Sequence, residues 1–457
     1  MSERTDVIAA IASGPGNAAI GVVRLSGTGS HAIALGMCRD LGSVPESRTL
    51  TLVWLIHPVA GTLLDQAMAV FYAPGASYTG EESAELFCHG GRRVLEGVLA
   101  ACLDVGARPA GPGEFTRRAV AGGRLDLAQA EAVSLLSQAP GEPAVGLALD
   151  ALEGAPSRVV GELCSVLLDL LSECEAYLDF TDDDGVVLDL PRVMEVLEDA
   201  LSRMEEWLLT ERAGRPALEG VRIVLYGPPN AGKSSLFNAL VGSARAIVHP
   251  DPGTTRDVVG ECLTLGGASC LLLDTAGLRV SEGAVESEGV DRALEAARSA
   301  DIGMLVIDGS EPGCADWVER WVGSDILCDL VVPAKADLWN EDPVLEGLPR
   351  DVDVVVTSAR TGRGLSELEK RLGDRAAGCL EQGRVARCVV AGERQVQSLE
   401  TARRHGAGAL SGFRSGAPLE IVVADLRASV EALGEITGAR VTDEILDRIF
   451  SRFCIGK

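Results

Sequence analysis

The stretch Gly227-Pro-Pro-Asn-Ala-Gly232-Lys233-Ser234 carries the most specific chemistry in the chain. Two glycines separated by four residues, then Lys and Ser, let successive backbone N–H groups wrap a phosphate chain. Asn230, Ala231, Gly232, Lys233, Ser234 and Ser235 would form that cradle, with Lys233 reaching the β- and γ-phosphates and Ser234 ligating Mg²⁺. Downstream, Asp274-Thr275-Ala276-Gly277 offers an acid to hold Mg²⁺ through water and a glycine N–H for the γ-phosphate. Between them, Gly253-Thr254-Thr255-Arg256-Asp257 supplies Thr255 to complete the metal shell. Ala334-Lys335-Ala336-Asp337 then presents a carboxylate able to accept hydrogen bonds from guanine N1 and its 2-amino group, donors that adenine lacks. Ser358-Ala359-Arg360 fits a backbone contact to guanine O6. The order and spacing of these stretches read as a GTPase unit over residues 218–377, with GTP and Mg²⁺ as its ligands.

Two positions depart from the usual pattern. The base-reading motif ordinarily begins with Asn, whose amide braces neighbouring loops; Ala334 stands there instead. The loss of one such hydrogen bond, about 1 kcal/mol, predicts weaker nucleotide affinity with guanine preference kept by Asp337. Leu278 follows the DTAG stretch where many GTPases carry a water-orienting Gln, so an acid in 279–290 (Glu282, Glu286 or Glu288) must serve. Asn230 is open to two readings: a ligand for a monovalent cation beside the phosphates, or a solvent-facing loop residue.

The elements that must position these residues are legible in outline. VRIVLY and CLLLD are apolar strands, and KSSLFNALVG is an apolar-periodic helix. Residues 1–120 alternate short apolar strands with Gly and Pro turns and then a helix, a compact α+β unit. Residues 121–217 and 378–457 show helical spacing, and neither half has enough helices for a bundle of its own. The expected fold is therefore multidomain: an N-terminal α+β domain, then a helical domain interrupted by an inserted α/β P-loop domain. Linkers are expected at Gly214-Arg-Pro-Ala and at 378–383.

Composition narrows the function further. The net charge of −26 gives no general attraction for nucleic acid. Residues 378–457, with 10 acids and 11 bases, are the least repulsive surface for RNA. Twelve cysteines without a CxxC pair fit a reducing cytosol rather than a disulfide or zinc scaffold. No apolar run reaches the roughly 18 residues of a membrane span, and the start is not that of a signal peptide, so a cytoplasmic chain is expected. Only four of the 41 basic residues are Lys. Lys233 and Lys335 fall in nucleotide motifs and Lys457 is the last residue, which points to places where Arg does not substitute.

Together GPPNAGKSSLFNAL, GTTRD, DTAGLR, LDLAQAEA, YTGEESAELFCHGG and the final FCIGK resemble the tRNA modification GTPase family MnmE, also called TrmE, over nearly the whole chain. The resemblance implies addition of a carboxymethylaminomethyl group at the wobble uridine of certain tRNAs. It implies a homodimer that works with the FAD-dependent partner MnmG (GidA) in a heterotetramer. It also implies K⁺-activated GTP hydrolysis when two G domains meet. By position, it makes Asn230 and the loop His249-Pro250-Asp251-Pro252-Gly253-Thr254 the K⁺ site, and Ser234 and Thr255 the Mg²⁺ ligands. Glu286 becomes the water-orienting acid. It further implies a 5-formyl- or 5,10-methylene-tetrahydrofolate site at Arg24, Glu85, Arg124 and Lys457, and a catalytic requirement for Cys454 in tRNA modification. A regulatory GTPase switch without one-carbon chemistry is the competing reading, and it leaves the flanking domains without a purpose.

Overall fold

The structure, a computed structural model, describes all residues except 1–5, 15, 140, 180–186, 244–259, 275–299, 312–317, 319–326, 340–351, 386–391, 440–442 and 452. The chain divides into two compact units, Met1–Ser137 with Asp150–Met204 and Gly392–Lys457, and Gln138–Leu149 with Glu205–Ala391.

In the first unit, β1 (Ile8–Ile11), β2 (Ile20–Ser26), α1 (Ser30–Met37), β3 (Thr51–Ile56), β4 (Leu63–Tyr72), β5 (Ser83–His89), α2 (Arg92–Asp104), β6 (Arg108–Pro109) and α3 (Glu114–Ala121) succeed one another. The strands form one sheet in the order β3-β4-β5-β2-β1-β6. Alternation along β2 and β5 turns Val23, Leu25, Ala84 and Leu86 into a core closed by Leu95 and Val98 of α2. The same alternation, in antiparallel register, sets Arg24 directly opposite Glu85. Arg118 of α3, only 9% exposed, is held by Asp6, Glu81 and Glu114 at 3.0 to 3.2 Å.

The helices that follow are α4 (Leu127–Gln138), α5 (Glu142–Leu152), α6 (Ala155–Asp179) and α7 (Leu190–Glu219). The second unit then begins its sheet with β7 (Val221–Tyr226), α8 (Lys233–Ser243), β8 (Gly260–Leu265), β9 (Ala268–Asp274), β10 (Ile302–Asp308), β11 (Leu330–Ala334) and β12 (Asp353–Val354), and closes with α9 (Leu365–Val385). Its strand order is β12-β11-β10-β7-β9-β8, parallel throughout except for the edge strand β8. β10 and β11 are buried along their full length, as strands covered on both faces must be. Leu236 and Leu240 of α8 and Leu368 and Leu372 of α9 cover one face.

The chain returns to the first unit through α10 (Glu393–Ser415), α11 (Leu419–Thr437) and α12 (Asp443–Phe450). Leu426 and Leu433 of α11 and Leu399 and Ala402 of α10 are buried where these two helices pair, and α6 packs on α11. Arg394 of α10 grips Glu131 of α4 at 2.8 and 2.9 Å and also donates to the last carbonyls of α11. This contact between residues 263 apart joins the two helical halves into one domain around the insert.

The expected linkers are not loops. Gly214-Arg-Pro-Ala lies inside α7 and residues 378–383 inside α9. Ala217 is buried and Arg215 pairs with Asp301 at 2.5 Å, so local packing keeps the helix going despite Gly214 and Pro216. Cys379 and Leu380 pack on the core of the second unit in the same way.

Candidate functional site

The phosphate-binding turn connects β7 to α8 at the carboxyl edge of the parallel sheet, where such sheets bind ligands. Gly227 has φ 139°, and a Cβ there would stand 2.1 Å from the Val306 carbonyl oxygen, so no other residue fits. Asn230 holds φ 61°, a left-handed conformation that Asn tolerates better than most side chains. Its residue type thus has a backbone reason besides any ligand. Ala231 is buried beneath the turn, and Ser234 and Ser235 lie in the first turn of α8, both exposed. Lys233 donates from Nζ to the carbonyls of Gly227 at 3.0 Å and Pro228 at 2.7 Å, which keeps its ammonium inside the loop. A turn that excludes a Cβ at Gly227 and holds a captive ammonium fits a polyphosphate.

The base-reading loop lies alongside. The P-loop approaches Ala334 closely enough that a Cβ on Gly232 would be 3.7 Å from the alanine methyl and 3.9 Å from Lys335 Cε. Lys335 has φ 62°, and its Nζ donates to Asp308 at 2.5 Å. Burial pulls the Asp308 carboxyl up, but bonds from Lys335 and Ser310 outweigh it and hold the carboxyl below its usual range. Asp337 accepts from Ser358 Oγ at 2.7 Å, and Arg360 Nη1 is 3.7 Å away. The Ser358 hydroxyl, with lesser help from Arg360, keeps Asp337 below the ordinary aspartate value, so it is ionised and ready to accept. Ala359 and Arg360 form the adjoining turn, with Arg360 largely exposed. Asp308 escaped the sequence reading; an acid ending an apolar strand at this edge was the available signal.

Several expected ligands lie outside the described residues: His249, Pro250, Asp251, Pro252, Gly253, Thr254, Thr255, Thr275, Ala276, Gly277 and Glu286. Asp274 ends β9, and its side chain is likewise outside the described set.

A second constellation sits in the N-terminal domain. Arg24 Nε donates to Glu85 Oε1 at 2.7 Å, and the Tyr72 hydroxyl donates to Glu85 Oε2 at 3.1 Å. Burial and then Glu85 push the Tyr72 phenol up, so it keeps the proton it donates. The Arg24 guanidinium lies 5.5 and 5.6 Å from the ring centres of Tyr78 and Phe115. The chain's end docks here. Ile455 pairs with Pro112 in an antiparallel bridge, Gly113 N–H donates to the Cys454 carbonyl at 3.4 Å, and Arg24 Nη1 donates to the Gly456 carbonyl at 3.5 Å. Phe450 and Phe453 anchor this segment against Leu127 and Ala130. Cys454 is exposed and Lys457 half-buried beside it. Arg124 is placed through a different contact, with its Cγ and Cδ against Gly80. Tyr72, Tyr78, Phe115 and Gly456 were not anticipated, because only the three-dimensional register brings them to Arg24.

A P-loop and guanine-reading loop on a parallel sheet, inserted into a helical domain behind an α+β domain, define a multidomain P-loop GTPase. Residues 7–124 match the family described as GTP-binding protein TrmE N-terminus, and residues 127–454 match MnmE helical domain. The tRNA modification GTPase MnmE of Symbiobacterium thermophilum is 40% identical over 470 residues, spanning 100% of both chains. Those of Thermus thermophilus and Moorella thermoacetica are 41% and 38% identical, over 100% and 99% of this chain and the same shares of their own. Among solved structures, the G domain of the T. maritima FeoB iron transporter matches 34% of this chain and 98% of its own at 26% identity, with a TM-score of 0.24. The chain belongs to the MnmE family of tRNA modification GTPases. No helix among the described residues is long and apolar enough to cross a membrane.

Proposed function

We propose that this chain hydrolyses GTP to drive carboxymethylaminomethylation at C5 of the wobble uridine of certain tRNAs. It would act in the cytoplasm as a homodimer, together with an FAD-dependent MnmG-type partner. The observation that carries the reading is the docking of Cys454-Ile-Gly-Lys457 beside the Arg24–Glu85 pair, in a chain that also holds a P-loop and an Asp337 loop suited to guanine. A plain GTPase switch has no use for that arrangement.

In this reading residues 1–120 bind a tetrahydrofolate, 121–217 and 378–457 form the helical domain, and 218–377 form the G domain. Lys233 neutralises the β- and γ-phosphates. Ser234 and Thr255 hold Mg²⁺, and Asn230 with the 249–254 loop holds K⁺. When bound, these cations supply positive charge to the phosphoryl oxygens. Asp274 and Gly277 serve the metal water and the γ-phosphate, and Glu286 orients the attacking water. Glu85 offers an acceptor for paired pterin N–H donors, while Arg24, beside the rings of Tyr78 and Phe115, and Arg124 and Lys457 provide cations for an acidic folate tail. Cys454 is exposed in the tail whose Gly456 carbonyl accepts from Arg24, where a reacting group can reach it.

GTP turnover of the purified chain in KCl and in NaCl tests the G-domain half. Turnover should be about tenfold or more faster in K⁺ and fall by a similar factor in Glu286→Ala, with little change in GTP binding. Equal rates in both salts would remove the K⁺ assignment, and an unchanged Glu286→Ala rate would remove that of Glu286.

A further inference from the structure

We propose that Trp339 is the positioning residue for guanine recognition in this chain, taking over the bracing that Ala334 cannot provide. The inference rests on the GTPase reading above and names how its specificity is held.

Asp337 lies in a short loop between Ala334, at the end of β11, and Trp339. The Trp339 indole Nε1–H donates across the base of that loop to the Ala334 carbonyl at 3.3 Å. The same carbonyl accepts from Gly309 N–H at 3.2 Å, so one acceptor gathers both the loop's end and the end of β10. The ring itself lies on Gly309: a Cβ at that position would stand 2.8 Å from it. Above the ring is the Arg363 guanidinium, 6.0 Å from its centre. Arg363 belongs to the third loop of the site, where its carbonyl accepts from Ser358 N–H at 2.9 Å. Ser358 in turn donates to Asp337.

Trp339 therefore touches all three segments that converge on the base: Gly309 after β10, Ala334 after β11, and the Ser358–Arg363 turn. An Asn at 334 would reach neighbouring loops through its amide. The alanine methyl faces Gly232, 3.7 Å from where a Cβ on that glycine would stand, and offers no hydrogen bond. With no polar atom there, the geometry of Asp337 depends on what closes the loop, and the indole does so with one hydrogen bond and two flat contacts. A large aromatic ring also loses little conformational freedom on being fixed, so it makes a stiff staple.

Affinities of the full-length chain for GDP, IDP and ADP test this, with thermal melting to confirm folding. Inosine keeps the N1 donor and lacks the 2-amino group, so the GDP:IDP ratio reports the alignment of Asp337. In Trp339→Ala, GDP affinity should fall about tenfold and the GDP:IDP ratio about threefold or more. Trp339→Phe, which keeps a ring and loses the N–H, should fall between Trp339→Ala and wild type. Adding A334N to Trp339→Ala should recover most of the ratio. An unchanged GDP:IDP ratio in a folded Trp339→Ala protein overturns the proposal, as does failure of A334N to recover it. A wild-type chain that binds ADP as well as GDP would instead overturn the GTPase reading on which the proposal rests.

Discussion

Asp337 illustrates how much a single side chain decides. Its carboxylate is oriented by Ser358 and kept ionised below the usual aspartate value of 3.8. A group depressed in this way loses its charge only as pH falls through the lower folded value. Guanine affinity should therefore stay flat from about pH 7 to about pH 5 as far as this group is concerned. Asp337→Asn replaces an acceptor by a donor. Competition binding should show GDP weakened by about a hundredfold and xanthosine diphosphate strengthened, because xanthine offers a carbonyl where guanine has an amino group. Retained GDP preference in that variant would place base selection elsewhere. This residue was legible from sequence because its partners lie in contiguous motifs. Trp339 was not, because its role depends on three strand ends meeting.

At the level of elements, the telling feature is how the last residues are seated. Gly456 has φ 96°, and a Cβ on it would meet the Ile11 carbonyl oxygen at 2.4 Å, beside β1. Gly456→Ala should free the tail. Nucleoside analysis should then show loss of wobble modification while GTP turnover stays within about twofold of wild type. Cys454→Ser should give the same split, but with the tail still docked. Protection of the Gly113 amide, which donates to the Cys454 carbonyl, from hydrogen exchange distinguishes the two: lost in Gly456→Ala, kept in Cys454→Ser. Parallel loss of GTP turnover in either variant would point to a folding role instead.

The wall beneath this seat depends on Arg118 and Arg108. Burial raises the Glu114 carboxyl, but hydrogen bonds from Arg108, Gly111 N–H and Arg118 outweigh it and hold Glu114 below its usual 4.5. The stability it contributes is fully present above that value and is lost as pH falls through the lower folded one. Arg118→Met, which strands carboxylates beside a 9%-exposed site, should destabilise the domain by about 3 kcal/mol at neutral pH in denaturant titration. Glu114→Gln should be weakened at neutral pH and lose less than wild type on acidification below about pH 4.5. Acid sensitivity equal to wild type would show that Glu114 is not the group responsible. The sequence showed strands and helices here, yet not the pairing of Arg24 with Glu85, since register between strands some 60 residues apart is set by packing. The misplaced linkers have a similar cause: Gly and Pro suggested breaks, and the buried Ala217 with the partly buried Cys379 and Leu380 kept the helices intact.

For the molecule as a whole, the question is whether the nucleotide site serves the tail. The inserted sheet and the flanking domains are separate units, and the Arg394–Glu131 contact joins the two halves of the helical domain. That interrupted plan was readable from helical spacing on either side of the P-loop. What connects turnover to tRNA chemistry was not, because it is a property of the assembled chain rather than of any motif. The most direct test is mass spectrometry of tRNA nucleosides from cells lacking this chain, complemented with wild type or with Lys233→Ala. The account predicts carboxymethylaminomethyl uridine with wild type and its absence with Lys233→Ala. Full modification with the Lys233→Ala chain, or in cells without any copy, would contradict it.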